Sequence, residues 1–300
     1  MISNLASSLD NSALSRRNVL KLAALGTAAL AAPVRVFSQA TAKRIPIALQ
    51  LYSVRGDCGK DFDAAMEQVA RMGFEGVEFA GYHKYGGDAA GLRKRLDDLG
   101  LKVAATHIGT GSLVGDNLQK TIAFHKTIGC KFLVVPGDGA FTDPEKSKAL
   151  AETFSQAAAA LKPEGLYCGY HNHTKEFSKD GDKTYWDLFA ERTPADVVLQ
   201  QDVGWTTHAG LDPVELIKRY PGRTKSVHFK PDAKKDEAGK EPILGKDSVN
   251  WKGVIDACYT VGGTEWITIE QEWYPKDVTP MKASELSFLG LKAILKDMGK

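Results

Sequence analysis

The chain has 300 residues, a formal net charge of +2 and 43% hydrophobic residues, so it is long enough to bury the core of a large domain. Its near-balanced charge disfavours nucleic acid and membrane surfaces as partners, because the one lysine-rich stretch, 230–240, contains acids that offset its bases. Four widely spaced cysteines without a C-x-x-C motif exclude a zinc ribbon and a thioredoxin motif. These cysteines fit either oxidised pairs or small core residues.

The first forty residues have the pattern of an export signal. An arginine pair in "SRRNVLK" precedes the uncharged run "LAALGTAALAAPV", which is too short and too rich in alanine and glycine for a good membrane span. A small-x-small cleavage pattern ends at Ala40. We therefore predict a twin-arginine-type signal peptide over 1–40 and a periplasmic mature domain over 41–300. An ordinary signal or a retained anchor is the alternative, and no stable membrane span is expected after cleavage.

Apolar β-rich runs and helical patterns alternate after Lys43. The predicted strands are 45–54, 76–80, 102–108, 131–137, 166–173, 197–205, 225–230 and 266–272. The helical stretches between them include 61–73, 90–100, 116–129, 146–165, 212–220 and 250–263, and several of these end at glycine. This alternation predicts an α/β protein with a single (β/α)8 TIM barrel. A doubly wound sheet is the alternative, although no G-x-G-x-x-G follows the first strand.

Polar residues recur on one face of the predicted strands. The other face is apolar and must meet the helices, so the polar face is the barrel interior. The polar residues lie toward the carboxyl ends of the strands, where barrel active sites are found. This set comprises Gln50, Tyr52, Glu78, His171, His173, Asp202, His228, Lys230, Glu270 and Glu272.

Four of these residues end four successive predicted strands: His171, Asp202, His228 and Glu270. Buried carboxylates and imidazoles are costly there unless they are paired or bound to a metal. Two imidazoles and two carboxylates suit Mn²⁺, Zn²⁺, Co²⁺ or Fe²⁺ better than Ca²⁺. The sequence therefore predicts one shared divalent ion. Each residue taken alone also fits a structural role, such as Asp202 capping the turn that follows it.

Seven ordered motifs resemble one known family: "LQLYSVR", "GVEFAGY", "THIG", "GYHNHTKEF", "QDVGW", "VHFK" and "IEQE". They resemble the sugar phosphate isomerase/epimerase superfamily, the xylose isomerase-like barrels, over residues 45–298. The resemblance implies a (β/α)8 barrel with one divalent ion, often Mn²⁺. The usual ligands are a glutamate, an aspartate, a histidine and a glutamate on strands five to eight, and the last three fall on Asp202, His228 and Glu270.

The chain departs from the family pattern at the fifth strand, where His171 stands in place of the glutamate ligand. In the epimerases of the family, the glutamates of strands five and eight form a proton-transfer pair. The loss of one carboxylate therefore argues against the hypothesis of a two-base epimerase and favours the hypothesis of a lyase.

The first functional hypothesis is a metal-dependent isomerase or epimerase of a sugar or keto sugar. It would remove a proton next to a carbonyl and form a metal-stabilised enediolate. Glu270 is both ligand and candidate base, and His171 or His173 is a second proton carrier. The candidate substrate contacts are Lys230, His107, Glu78, Gln50, Tyr52, Trp205 and Glu272. The expected partner is a small carbohydrate, and the sequence is compatible with a homo-oligomer.

Two other functions stay open. One is a metal-dependent lyase or dehydratase acting on a keto sugar, a keto-glycoside or an inosose. The other is a non-catalytic carbohydrate-binding barrel. Structural roles also compete at single residues, since Glu78 and Lys230 can form salt bridges inside the barrel and Trp205 can pack in the core. A metal-dependent nuclease is disfavoured by the neutral charge and by too few histidines for three metals.

Overall fold

Eight parallel strands form a closed barrel, which confirms the predicted fold. We describe it from a computed structural model that covers residues 44–232 and 238–300. The predicted signal peptide lies outside the described residues. The strands are β1 Ile47–Gln50, β2 Gly76–Phe79, β3 Lys102–His107, β4 Phe132–Val135, β5 Tyr167–His171, β6 Val198–Asp202, β7 Ser226–Phe229 and β8 Trp266–Ile269. Each strand pairs with its chain neighbours, and β8 closes the barrel against β1.

Helices connect the strands and form the outer layer. They are α1 Arg55–Lys60, α2 Phe62–Arg71, α3 Ala89–Leu99, α4 Gly115–Ile128, α5 Lys146–Leu161, α6 Tyr185–Arg192, α7 Val203–His208, α8 Pro213–Arg219, α9 Trp251–Ala257 and α10 Pro280–Asp297. A two-stranded hairpin, Lys179–Asp180 with Lys183–Thr184, lies between β5 and α6. Within the described ranges, no helix has the length and apolar character needed to cross a bilayer.

Two predicted strands end earlier than expected because polar side chains start helical turns. The predicted strand 45–54 stops at Gln50, whose side chain accepts a hydrogen bond from the Tyr52 backbone N–H at 3.1 Å. The predicted strand 197–205 stops at Asp202, whose carboxylate accepts from the Trp205 N–H at 2.8 Å. Tyr52 and Trp205 therefore lie on turns above the barrel and not on its strands.

The barrel interior changes from apolar to polar along the strands. Ala105, Phe132, Val134 and Val198 form a small apolar cluster inside the barrel. Tyr167 and Trp266, the first residues of β5 and β8, pack against this cluster, so it fills the amino-terminal end. The polar residues occupy the carboxyl end above it. The larger core lies between the outward strand faces and the helices.

All four cysteines, Cys58, Cys130, Cys168 and Cys258, are buried free thiols. Burial raises the thiol pKa of Cys58, Cys168 and Cys258 to about 12. The structure thus favours the prediction of small core residues over that of oxidised pairs.

Gly169 permits the close approach of β5 to β6. A methyl group added there would lie 2.5 Å from the Val198 carbonyl oxygen and 2.6 Å from Val198 Cβ. We expect Gly169→Ala to lower the free energy of unfolding by about 1–3 kcal/mol, because the backbone must shift. Denaturant unfolding measures this change. The control is Gly59→Ala in α1, where no atom lies within 4 Å, and equal stability of the two variants would contradict the packing argument.

Candidate metal centre and active site

A cavity of about 540 Å³ opens at the carboxyl end of the barrel. This position matches the location of active sites in barrel enzymes. The residues that form its wall include Tyr52, His107, His171, His173, Glu270 and Glu272.

The predicted ligand set comes together beside this cavity. His171, Asp202, His228 and Glu270 are all buried, and their ligand atoms lie within 4.8 Å of one another. Asp202 Oδ2 lies 3.8 Å from His171 Nε2 and 4.0 Å from His228 Nδ1. This oxygen is buried and accepts no hydrogen bond, although the Lys230 ammonium lies 3.1 Å away, and an unfilled acceptor is costly for a carboxylate. A divalent ion would satisfy it, and two nitrogen and two oxygen ligands suit such an ion.

Gln200 orients the imidazole of His171. The Gln200 amide nitrogen donates to both carboxylate oxygens of Glu78, at 3.2 and 3.1 Å, so its oxygen faces the histidine. That oxygen lies 3.0 Å from His171 Nδ1, which therefore donates. The lone pair of His171 then sits on Nε2, directed toward Asp202. Burial, followed by the charges of His228 and His107, holds the pKa of His171 well below its usual value and keeps it in the neutral ligand form.

His228 lies between two carboxylates. Its Nε2 is 2.7 Å from Glu78 Oε1, and its Nδ1 is 2.8 Å from Glu270 Oε2. Burial opposes its charge, but in the metal-free protein Glu78 and Glu270 outweigh that effect and raise the pKa of His228 to about 10. A divalent ion bound at Nδ1 would displace the proton there and leave the Nε2 proton donated to Glu78. Burial likewise opposes ionisation of Glu78, yet His228 and His107 hold the pKa of Glu78 far below its usual value.

Lys230 places an ammonium beside the ligands. Its Nζ donates a hydrogen bond to Glu272 Oε2 at 2.5 Å. It also forms ion pairs with Glu270 Oε2 at 3.2 Å and Asp202 Oδ2 at 3.1 Å. It also lies 4.7 Å from the centre of the Trp205 ring. Burial raises the pKa of Asp202 to about 6, although Lys230 works against this rise. Burial also opposes the charge of Glu270, but Lys230 and His228 hold the pKa of Glu270 well below its usual value.

The other predicted contacts occupy different levels of the site. His107 lines the cavity, and its Nε2 lies 2.8 Å from Glu78 Oε1. Gln50 and Glu78 are fully buried beneath the cavity, where Gln50 donates to Glu78 at 3.0 Å. Tyr52 stands at the rim and is 41% exposed. Trp205 packs against His173, with ring centres 5.6 Å apart.

Sequence reasoning missed the orienting role of Gln200. Gln200 stands two residues before Asp202 on β6, so strand alternation puts both on the inner face, and this was the available signal. Its amide also donates to Ser226 Oγ at 2.9 Å, so one side chain links three strands through Glu78, His171 and Ser226.

Glu78→Gln tests the buried pair with His228. We expect the free energy of unfolding of metal-free protein at pH 7 to fall by about 3–5 kcal/mol, because His228 loses a buried partner. The folded pKa of His228 is raised from 6.5 to about 10, so its contribution is full below pH 6.5 and is lost as the pH rises through 10. The folded pKa of Glu78 is lowered, so its contribution is present above its usual pKa and is lost in acid.

Denaturant unfolding across pH measures both effects. Wild-type stability should decline from pH 6.5 to about pH 10, and Glu78→Gln should show a smaller decline. The control is Glu145→Gln, which removes an exposed ion pair with Lys148 and should change little. A variant with wild-type stability and an unchanged pH profile would refute the coupling.

Known proteins share both the sequence pattern and the fold. The chain is 27% identical over 245 residues to a Clostridium perfringens (strain 13 / Type A) protein named inosose dehydratase, and the match covers 71% of this chain and 78% of that protein. The crystal structure of a sugar phosphate isomerase/epimerase from Parabacteroides distasonis ATCC 8503 is 27% identical, with a TM-score of 0.68, and the match covers 83% of this chain and 98% of that chain.

A crystal structure of IOLI protein with a binding zinc atom has the same fold at 11% identity and a TM-score of 0.64. That match covers 84% of this chain and 99% of that chain. Residues 66–292 match the family described as the xylose isomerase-like TIM barrel. This match covers more than half of the 300 residues of the chain, so the chain belongs to the xylose isomerase-like TIM barrel family.

Proposed function

We propose that this chain is a divalent-metal-dependent lyase that removes a proton beside the carbonyl of a keto sugar or inosose and eliminates water. The observation that carries the proposal is the buried set His171, Asp202, His228 and Glu270 beside the cavity of about 540 Å³. A divalent ion bound there would polarise the carbonyl oxygen as a Lewis acid. The relative named inosose dehydratase supports elimination as the outcome.

The charge of the cavity wall favours an uncharged substrate. Among the described residues, the wall includes Glu270 and Glu272 but neither lysine nor arginine. The ammonium of Lys230 is nearby, but Asp202, Glu270 and Glu272 already neutralise it. A phosphate group would therefore meet carboxylates and no free cation. A neutral ring that carries hydroxyl groups fits this wall.

His173 is the best placed proton acceptor. It lines the cavity, and its ring makes no hydrogen bond with the described residues. Burial and the nearby charge of Lys230 lower the pKa of His173 to about 4, so it is neutral at pH 7. We infer that it takes the proton from the carbon and returns it to the departing hydroxyl. One C–H bond and one C–O bond break, a C=C bond forms and water leaves.

Isomerisation or epimerisation of a sugar is the second candidate. The Parabacteroides distasonis isomerase/epimerase supports it, and Glu270 is retained at the strand-eight position. The same proton abstraction would then be followed by return of the proton to carbon. A non-catalytic carbohydrate-binding barrel predicts binding without either product.

Metal content tests the ligand set. We expect elemental mass spectrometry of the full chain, purified without chelators, to find about one Mn, Zn, Co or Fe per molecule. His171→Ala and Asp202→Ala should each lose it, because each removes a ligand. The control His83→Ala removes an exposed histidine and should keep it. Metal retained in both ligand variants would show that His171 and Asp202 are not the ligands. Absence of metal after reconstitution would favour the non-catalytic binding barrel.

Product analysis tests the reaction. We expect metal-loaded protein incubated with an inosose to give a product lighter by one water, as seen by mass spectrometry. His173→Gln should slow this reaction by about 10²–10⁴-fold, because general-base catalysis is lost. A product of unchanged mass that gains solvent deuterium would establish the isomerase instead. Wild-type turnover by His173→Gln would exclude His173 as the base.

A further inference from the structure

Asn172 lies between two predicted site residues but does not line the cavity. Its side chain is fully buried and is absent from the residues that line the cavity. Its Oδ1 accepts the backbone N–H of Asp202 at 3.0 Å. Its Nδ2 donates to the His173 carbonyl at 3.1 Å and to Thr206 Oγ1 at 3.4 Å. The Thr206 hydroxyl in turn donates to the Asp202 carbonyl at 2.7 Å.

These contacts continue the β5–β6 pairing beyond the point where the strands separate. The regular register between the two strands ends with His171 opposite Gln200. Asp202 pairs with His228 on β7, so no strand pairing holds it on the β5 side. The Asn172 side chain replaces the missing pairing by bonding the N–H of Asp202 directly and reaching its carbonyl through Thr206.

The consequence concerns the two ligand atoms on these strands. His171 Nε2 and Asp202 Oδ2 are 3.8 Å apart, and each is fixed by its own backbone and one orienting hydrogen bond. A metal site tolerates displacements of only about 0.5 Å in its ligands. We propose that Asn172 is a positioning residue that sets the spacing of His171 and Asp202 for a divalent ion. This inference rests on the proposed metal site.

Gln201 provides a matched control for a purely structural role. It is a buried amide on β6, directly before Asp202. Its Nε2 donates to the Pro213 carbonyl at 3.2 Å. Gln201→Ala therefore also removes a buried amide hydrogen bond, but on the side of the helices. A structural role alone predicts that both alanine variants lose thermal stability and keep the same affinity for metal.

The experiment titrates the metal-free full chain with Zn²⁺ and with Mn²⁺ by calorimetry, and follows the melting temperature in parallel. We expect Asn172→Ala to bind metal about 10–100-fold more weakly than wild type, as expected for loss of a group that orients a ligand. Gln201→Ala should melt earlier but bind metal like wild type. Thr206→Val should also bind metal more weakly than wild type. Thr206→Ser, which keeps the hydroxyl, should bind metal like wild type.

Each outcome separates the positioning role from the metal site itself. Equal metal affinity of wild type and Asn172→Ala would overturn the positioning role and leave the proposed function intact. Absence of metal binding by wild type would overturn both. If Asn172→Ala does not fold, the Thr206 pair decides, because wild-type affinity in Thr206→Val would also overturn the inference.

Discussion

The buried carboxylate of Glu78 is the contact on which the site depends. It lies in the barrel interior beneath the cavity, and it accepts hydrogen bonds from His228, Gln200 and Gln50. A buried carboxylate demands such partners, since leaving it unpaired is costly. By satisfying Glu78, these side chains acquire fixed orientations. His228 turns Nδ1 toward the ligand set, and Gln200 turns its oxygen toward His171. The geometry of the predicted centre thus follows from neutralising one charge below it.

Charge also determines which ions and substrates can bind in the cavity above Glu78. Asp202, Glu270 and Glu272 surround a single ammonium, that of Lys230. Their negative charge favours a divalent cation near Asp202 and disfavours an anionic substrate at the cavity wall. The histidine at position 171 reduces this negative charge by one relative to the glutamate that the family resemblance implies there.

Strand alternation predicted much of the site, because the direction of each side chain on a strand depends only on local backbone geometry. It placed Glu78, Asp202, His228 and Glu270 on the inner face, where the structure has them. The predicted strands ran too far, through Tyr52 and Trp205, because side-chain caps from Gln50 and Asp202 convert those segments into turns. Alternation also directs Asn172 away from the interior, so its link to Asp202 depends on how the two strands diverge, which no local pattern encodes.

The two candidate bases differ in what their surroundings allow. Glu270 is a predicted metal ligand, and its Oε2 is already in contact with His228 and Lys230. His173 is neutral at pH 7 and makes no ring hydrogen bond with the described residues. Inversion at carbon needs effective bases on both faces of the ring, whereas elimination can proceed with one group that takes and returns the same proton. The replacement of a glutamate by His171 therefore supports single-base chemistry, and this physical argument agrees with the dehydratase name of the bacterial relative.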